Sequence, residues 1–209
     1  RFRNVTGVQT CALPIWLARE GIRFTQYYAG ETVCAPSRNA LMTGQHNGHT
    51  WIRGNAKLGL RPEDVTIAMV LRDGGYRTAQ IGKWGLGDQT TTGEPTKKGF
   101  EYSFGVLDQE HAHRQYTDHL YRNGQPVKTD VNNDYSNDLF TRETLAFVQA
   151  SDPRPFFVYL NYTVPHAELR VPEDSLKPFA GKFPEKPFVN EKAEDRKSTR
   201  LNSSHVSES

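Results

Sequence analysis

The sequence predicts an α/β fold, with helices packed against a mostly parallel sheet. Three observations predict it. Stretches with helical spacing of apolar residues alternate with short β-branched and aromatic runs. The reactive residues Cys34, Lys83 and His166 each follow such a run, at the strand ends where open α/β sheets bind ligands. The 209 residues are 36% hydrophobic and 11% aromatic, enough to build a core.

The elements follow in order. Residues 17–21 read as the end of a helix closed by Gly21. Ile22 to Tyr28 read as a strand. Pro36 suits the first turn of a helix that Ser37 to Gln45 continue. His46 to Pro62, rich in Gly, Asn and His, reads as a loop. Pro62-Glu63-Asp64 opens a helix with Val65, Ala68, Met69 and Leu71 at helical spacing, ended by Gly74-Gly75. Arg77 to Ile81 is a short strand running into Gly82-Lys83-Trp84-Gly85-Leu86-Gly87. A polar loop at 88–99 leads to an extended segment, Phe100 to Leu107. Asp108 to Asn133 shows no period, but Arg122-Asn123-Gly124-Gln125 reads as a turn. Ser136 to Ala150 is an amphipathic helix turning Leu139, Phe140, Thr144, Phe147 and Val148 inward. Pro155 to Tyr162 is an apolar strand ending at Thr163-Val164-Pro165-His166.

Composition excludes some functions. A formal charge of +2 gives no electrostatic footprint for nucleic acid or an anionic membrane. No apolar run reaches the roughly 18 residues that span a bilayer. Residues 1–15 and 196–209 resemble translated adapter read-through of the kind that enters metagenomic assemblies, and are set apart from the partial catalytic domain expected at 16–195. Without Cys11, Cys34 stands alone, which excludes an internal disulfide framework.

Cys34 starts the chemistry. A helix beginning beside it directs a positive dipole end at an anion, and Arg38 returns to the same face one turn later. Without Pro36-Ser37-Arg38 beside it, a lone cysteine reads first as a buried apolar thiol. Lys83 offers an ammonium to offset charge on transferring oxygens, or is a solvated loop lysine. His166 offers a proton-transfer group near neutral pH, or is a satisfied histidine after a core strand. His46 and His49 make a weak zinc pair and read as loop structure. Trp51, Tyr116 and Tyr121 suit sugar stacking and core packing equally.

Cys34-Ala35-Pro36-Ser37-Arg38, with Leu41-Met42-Thr43-Gly44 after it, resembles the sulfatase signature. Gly82-Lys83-Trp84-Gly85-Leu86-Gly87 resembles the second block of that family, and Tyr162 to Ala167 a third landmark. The resemblance to arylsulfatase-A-like sulfatases implies part of an alkaline-phosphatase-like sandwich, incomplete at both ends. It implies that Cys34 is oxidised to formylglycine by a maturase, and that the hydrated aldehyde attacks sulfur. Lys83 and His166 then contact the sulfate, with His166 assisting departure of the alcohol. The substrate is a sulfated small molecule or carbohydrate, and the location is periplasmic or extracellular. A calcium ion is implied too, held by matured Cys34 and by ligands expected outside this segment; calcium binding and turnover by the chain alone are therefore expected to be poor.

Gly85 departs from the pattern. The family usually carries histidine there, proposed to start elimination of sulfate, although some branches carry glycine. His111 and His113 are the nearest substitutes, as catalytic groups or as substrate-reading ones. Two alternatives remain open: a phosphate or phosphonate ester hydrolase of the same superfamily, and a non-catalytic pseudo-sulfatase. A cysteine-nucleophile phosphatase is excluded by the short Cys34-to-Arg38 spacing.

Overall fold

The computed structural model describes residues 15–166, 168 and 170–182. The adapter-like readings at 1–14 and 196–209 lie outside these residues.

The sheet has five strands: β1 (Arg77–Lys83), β2 (Tyr102–Val106), β3 (His119–Arg122), β4 (Gln125–Lys128) and β5 (Phe156–Asn161). Their order is β4-β3-β2-β1-β5. The centre is parallel, with Ile81 beside both Phe104 of β2 and Leu160 of β5. One edge is antiparallel, β3 pairing with β2 and with β4. Asn123-Gly124 turns that hairpin with φ of 48° and 77°, the left-handed conformation this dipeptide favours. The α/β expectation holds, and the unassigned stretch after Asp108 supplies the hairpin.

Among the described residues the sheet is accompanied by α1 (Cys34–Thr43), α2 (Ile67–Asp73), α3 (Ser136–Gln149) and the short α4 (Glu173–Leu176). Residues 15–20 are also helical, and Gly21 closes them by donating to the Leu17 carbonyl at 2.9 Å. α1 ends at Gly44, whose φ of 67° suits a residue without Cβ. α2 begins later than Pro62 suggests. Thr66 caps it, accepting from the Met69 N–H at 3.2 Å, while Asp64 closes a turn by accepting from the Arg61 N–H at 2.8 Å.

Two apolar clusters sandwich the sheet. Ala35, Met42, Ile52, Leu60, Ala68, Trp84, Leu86, Phe100 and Leu107 fill one side. Leu139 and Phe140 of α3 cover the other, against Ala79, Ile81, Phe104, Val106 and Leu120. β5 shows the strand period: Phe157 and Tyr159 meet the first cluster, Val158 and Leu160 the second. Every residue of β1 is buried, as its central position requires.

Three expectations fail. Ile22 to Tyr28 form no strand: Ile22, Phe24, Tyr27 and Tyr28 are 82%, 68%, 71% and 79% exposed, because no described strand pairs with them. Their β-branched and aromatic composition favours a strand but does not suffice without a pairing partner. Val65 lies outside α2, and Val148 of α3 is 38% exposed, on the margin of the buried face. No helix among the described residues is long and apolar enough to cross a membrane.

Candidate active site

Three elements bring Cys34, Arg38, Lys83 and His166 together. Lys83 is the last residue of β1 and is buried. Cys34 is the first residue of α1 rather than the end of a strand. His166 lies five residues beyond β5, in the loop after Asn161. Cys34 Sγ and His166 Nε2 are 4.0 Å apart. Arg38 Nη1 donates to the Lys83 carbonyl at 2.6 Å, tying α1 to the end of β1. All four residues line a cavity of about 500 Å³ that also reaches Glu31, Tyr159 and Asn161.

The loop that carries His166 is anchored by a buried polar network. The Thr163 N–H donates to Asn137 Oδ1 at 3.0 Å, and its hydroxyl donates to Gln115 Oε1 at 2.7 Å. Asn137 Nδ2 donates to the same Gln115 oxygen at 3.0 Å. The three side chains lie 0% to 5% exposed, where water does not compete.

The start of α1 differs from the simple anion-site expectation. Asn55 Oδ1 accepts from the Ala35 N–H at 2.9 Å, Pro36 has no N–H, and Ser37 donates to the Val33 carbonyl at 3.2 Å. Most of the first-turn donors are therefore occupied. Complementarity to an anion falls to the side chains of Lys83, Arg38 and His166. Burial holds the Lys83 ammonium below its usual range; nearby Cys34 opposes this and Arg38 adds to it.

The two further histidines part company. His113 stacks on His166, with ring centroids 4.0 Å apart and planes at 17°. It lines a second cavity of about 670 Å³ that shares Cys34 and His166 with the first. Burial, then the charges of His166 and Lys83, push it down to about 4. His111 turns away instead: its Nε2 lies 2.5 Å from Thr117 Oγ1, and its ring 4.5 Å from that of His119. Burial and then His119 lower its proton affinity.

Gly85 has a steric reason. Its φ is +76°, and a Cβ there would lie 2.1 Å from Gln109 Nε2. That amide donates to the Gly85 carbonyl at 3.0 Å and fills the space a side chain would take. Gln109, Asn55 and Asn161 are site-wall residues that sequence reasoning missed, since only the folded loops bring them near. His46 accepts from the Gly48 N–H at 3.0 Å, a local loop contact. Tyr121 lines the second cavity, whereas Trp51 and Tyr116 lie under Arg61 and Arg170.

The calcium expectation meets a donor set that does not fit. On the first cavity wall Glu31 is the one carboxylate beside Arg38, Lys83 and His166, and Asp88, Asp108 and Glu110 line only the second cavity. Its Oε1 already accepts from Thr32 and its Oε2 from Asn47 at 2.7 Å. A calcium ion takes six to eight oxygens. The first cavity wall does not supply them.

The sulfatase family model matches residues 12–205. The chain belongs to the sulfatase family. An arylsulfatase of Hemicentrotus pulcherrimus is 31% identical over 182 residues, covering 76% of this chain and 33% of that protein. An arylsulfatase of Klebsiella aerogenes is 27% identical over 190 residues, covering 80% of this chain and 40% of that protein. Among solved structures, BT4656 in complex with its substrate D-glucosamine-2-N,6-O-disulfate aligns with a TM-score of 0.67 and 26% identity, covering 83% of this chain and 33% of that one. The chain thus spans about a third of the length of the curated relatives it matches. The sulfatase neighbours place the sheet in the alkaline-phosphatase-like class, and the family is one of sulfuric ester hydrolases.

Proposed function

We propose that this sulfatase segment carries the nucleophile arm of a site that hydrolyses sulfate esters of carbohydrates, with Cys34 matured to formylglycine. The observation that carries this reading is the convergence of Cys34, Arg38, Lys83 and His166 on one cavity. The carbohydrate class draws support from BT4656 and its disulfated glucosamine. A periplasmic or extracellular location follows from the family alone.

When present, formylglycine supplies a hydrated aldehyde, one hydroxyl to attack sulfur and a second to release sulfate. Lys83 neutralises charge on the sulfuryl oxygens from a buried position, where such a charge acts strongly. Arg38 fixes the end of β1 through the Lys83 carbonyl and faces the same cavity. His166, 4.0 Å from Cys34 Sγ, gives a proton to the departing alcohol. His113 accepts the proton that Gly85 cannot. It is neutral at pH 7, and the negative charge of the sulfate ester still bound to the nucleophile raises its basicity by offsetting His166 and Lys83. His111, directed away from this wall, has no such role.

The test uses paired aryl sulfate and aryl phosphate substrates, on a chain extended to the length of its relatives and co-produced with a maturase. Sulfate hydrolysis is expected to dominate, to vanish in Cys34→Ala, and to fall roughly 100-fold or more in Lys83→Ala. His113→Gln should lower kcat. Faster turnover of the phosphate, or parent-level activity in Cys34→Ala, would overturn the reading.

A further inference from the structure

We infer that His111, Asp118 and His119 form a site for one transition-metal ion of the zinc class, separate from the Cys34 cavity. One ligand atom from each residue lies within 4.8 Å of the others. Two imidazoles and one carboxylate are borderline ligands that suit zinc and do not suit calcium.

The geometry around the three ligands supports more than proximity. His111 Nε2 faces inward, 2.5 Å from Thr117 Oγ1, and that hydroxyl is 3.4 Å from Asp118 Oδ1. His119 Nδ1 also faces inward, 2.8 Å from Asp118 Oδ1. The outer nitrogen of the His119 ring meets an oxygen partner, and that of His111 faces a carboxylate at longer range. His111 Nδ1 is 4.0 Å from Asp108 Oδ2, and His119 Nε2 is 3.3 Å from the Tyr121 hydroxyl. Metal-bound histidines commonly carry such outer partners, which fix ring orientation and tautomer. The His111 side chain is 9% exposed and Asp118 72% exposed, so the cluster has a fixed inner wall and an open mouth for entry. An ion there takes the place of the Thr117 proton on His111 Nε2, with water completing a tetrahedron.

The consequence is mechanical. His111 belongs to a short 3-10 turn, His111–His113, while His119 opens β3. The ion clamps that turn to the sheet. The same turn carries His113, and Gln109 lies just before it, so the clamp braces the wall beside Gly85. The site stands independently of the sulfate reading.

The test is zinc titration of the purified 209-residue chain after chelator treatment, followed by calorimetry and by cobalt absorption in the visible. One ion per chain is expected at micromolar or tighter affinity. His119→Ala and Asp118→Asn should each weaken it by at least about 10-fold, and Tyr121→Phe, which keeps all three ligands, by about 10-fold. Far-UV circular dichroism of the metal-free variants separates lost binding from lost folding. Cys34→Ser should bind like the parent. Two results overturn the inference: no saturable zinc binding in the micromolar range, or binding that survives His119→Ala and disappears in Cys34→Ser.

Discussion

The two arms of the site are supported unequally. His166 rests on Thr163, which a buried network of Asn137 and Gln115 grips from two sides. Cys34 rests on α1, which buries Ala35, Pro36, Asn39 and Met42, while the segment before it exposes Phe24, Tyr27, Tyr28 and Val33. Its polar ties are single bonds: Asn55 to the Ala35 N–H, Arg38 to the Lys83 carbonyl, and Asn47 to Glu31. The His166 loop is thus held by a buried polar network, and the Cys34 helix by single hydrogen bonds and by Ala35 and Met42 in the core. The lesson is that the cost of a polar deletion depends on whether water can replace the lost partner.

Substitutions in the two arms sharpen this contrast. Asn137→Ala is expected to have the largest effect, destabilising the chain by about 2–3 kcal/mol, because it strands the Thr163 N–H in a buried site and removes one of the two donors to Gln115 Oε1. Urea unfolding measures it. Asn55→Ala should cost about 1 kcal/mol, since Asn55 is exposed and lines a cavity from which water can take the place of its amide. Equal losses in the two variants would break the comparison. The smallest effect is one of pH. His113 has a folded value of about 4 against an ordinary 6.5, so between those values the unfolded chain binds its proton more readily. Its contribution is therefore present above about pH 6.5 and is lost as pH falls toward 4. Thermal melts with chelator present should show this slope, and His113→Gln should flatten it.

Much of this was legible from residue order. The buried β1, the amphipathic α3 and the Asn123-Gly124 hairpin turn follow from period and turn chemistry. The meeting of Cys34 with His166 follows from motifs placed near element ends. Other parts depended on partners that no local pattern reveals. Ile22 to Tyr28 have strand composition, yet no described strand pairs with them. Gln109 fills the space beside Gly85 only because the Leu107–Glu110 segment folds back, which no spacing encodes. His111 and His113 are two residues apart, yet one joins His119 and the other stacks on His166. A tight 3-10 turn separates them, in a stretch that showed no period.

The central claim is that Cys34 is the precursor of the nucleophile. Mass spectrometry of the peptide containing Cys34, after co-production of this chain with a formylglycine-generating maturase, tests it most directly. The thiol is expected to convert to an aldehyde that a hydrazide reagent traps, with no such adduct in Cys34→Ala. A Cys34 thiol left wholly unmodified, while a control sulfatase matures in the same cells, would contradict it.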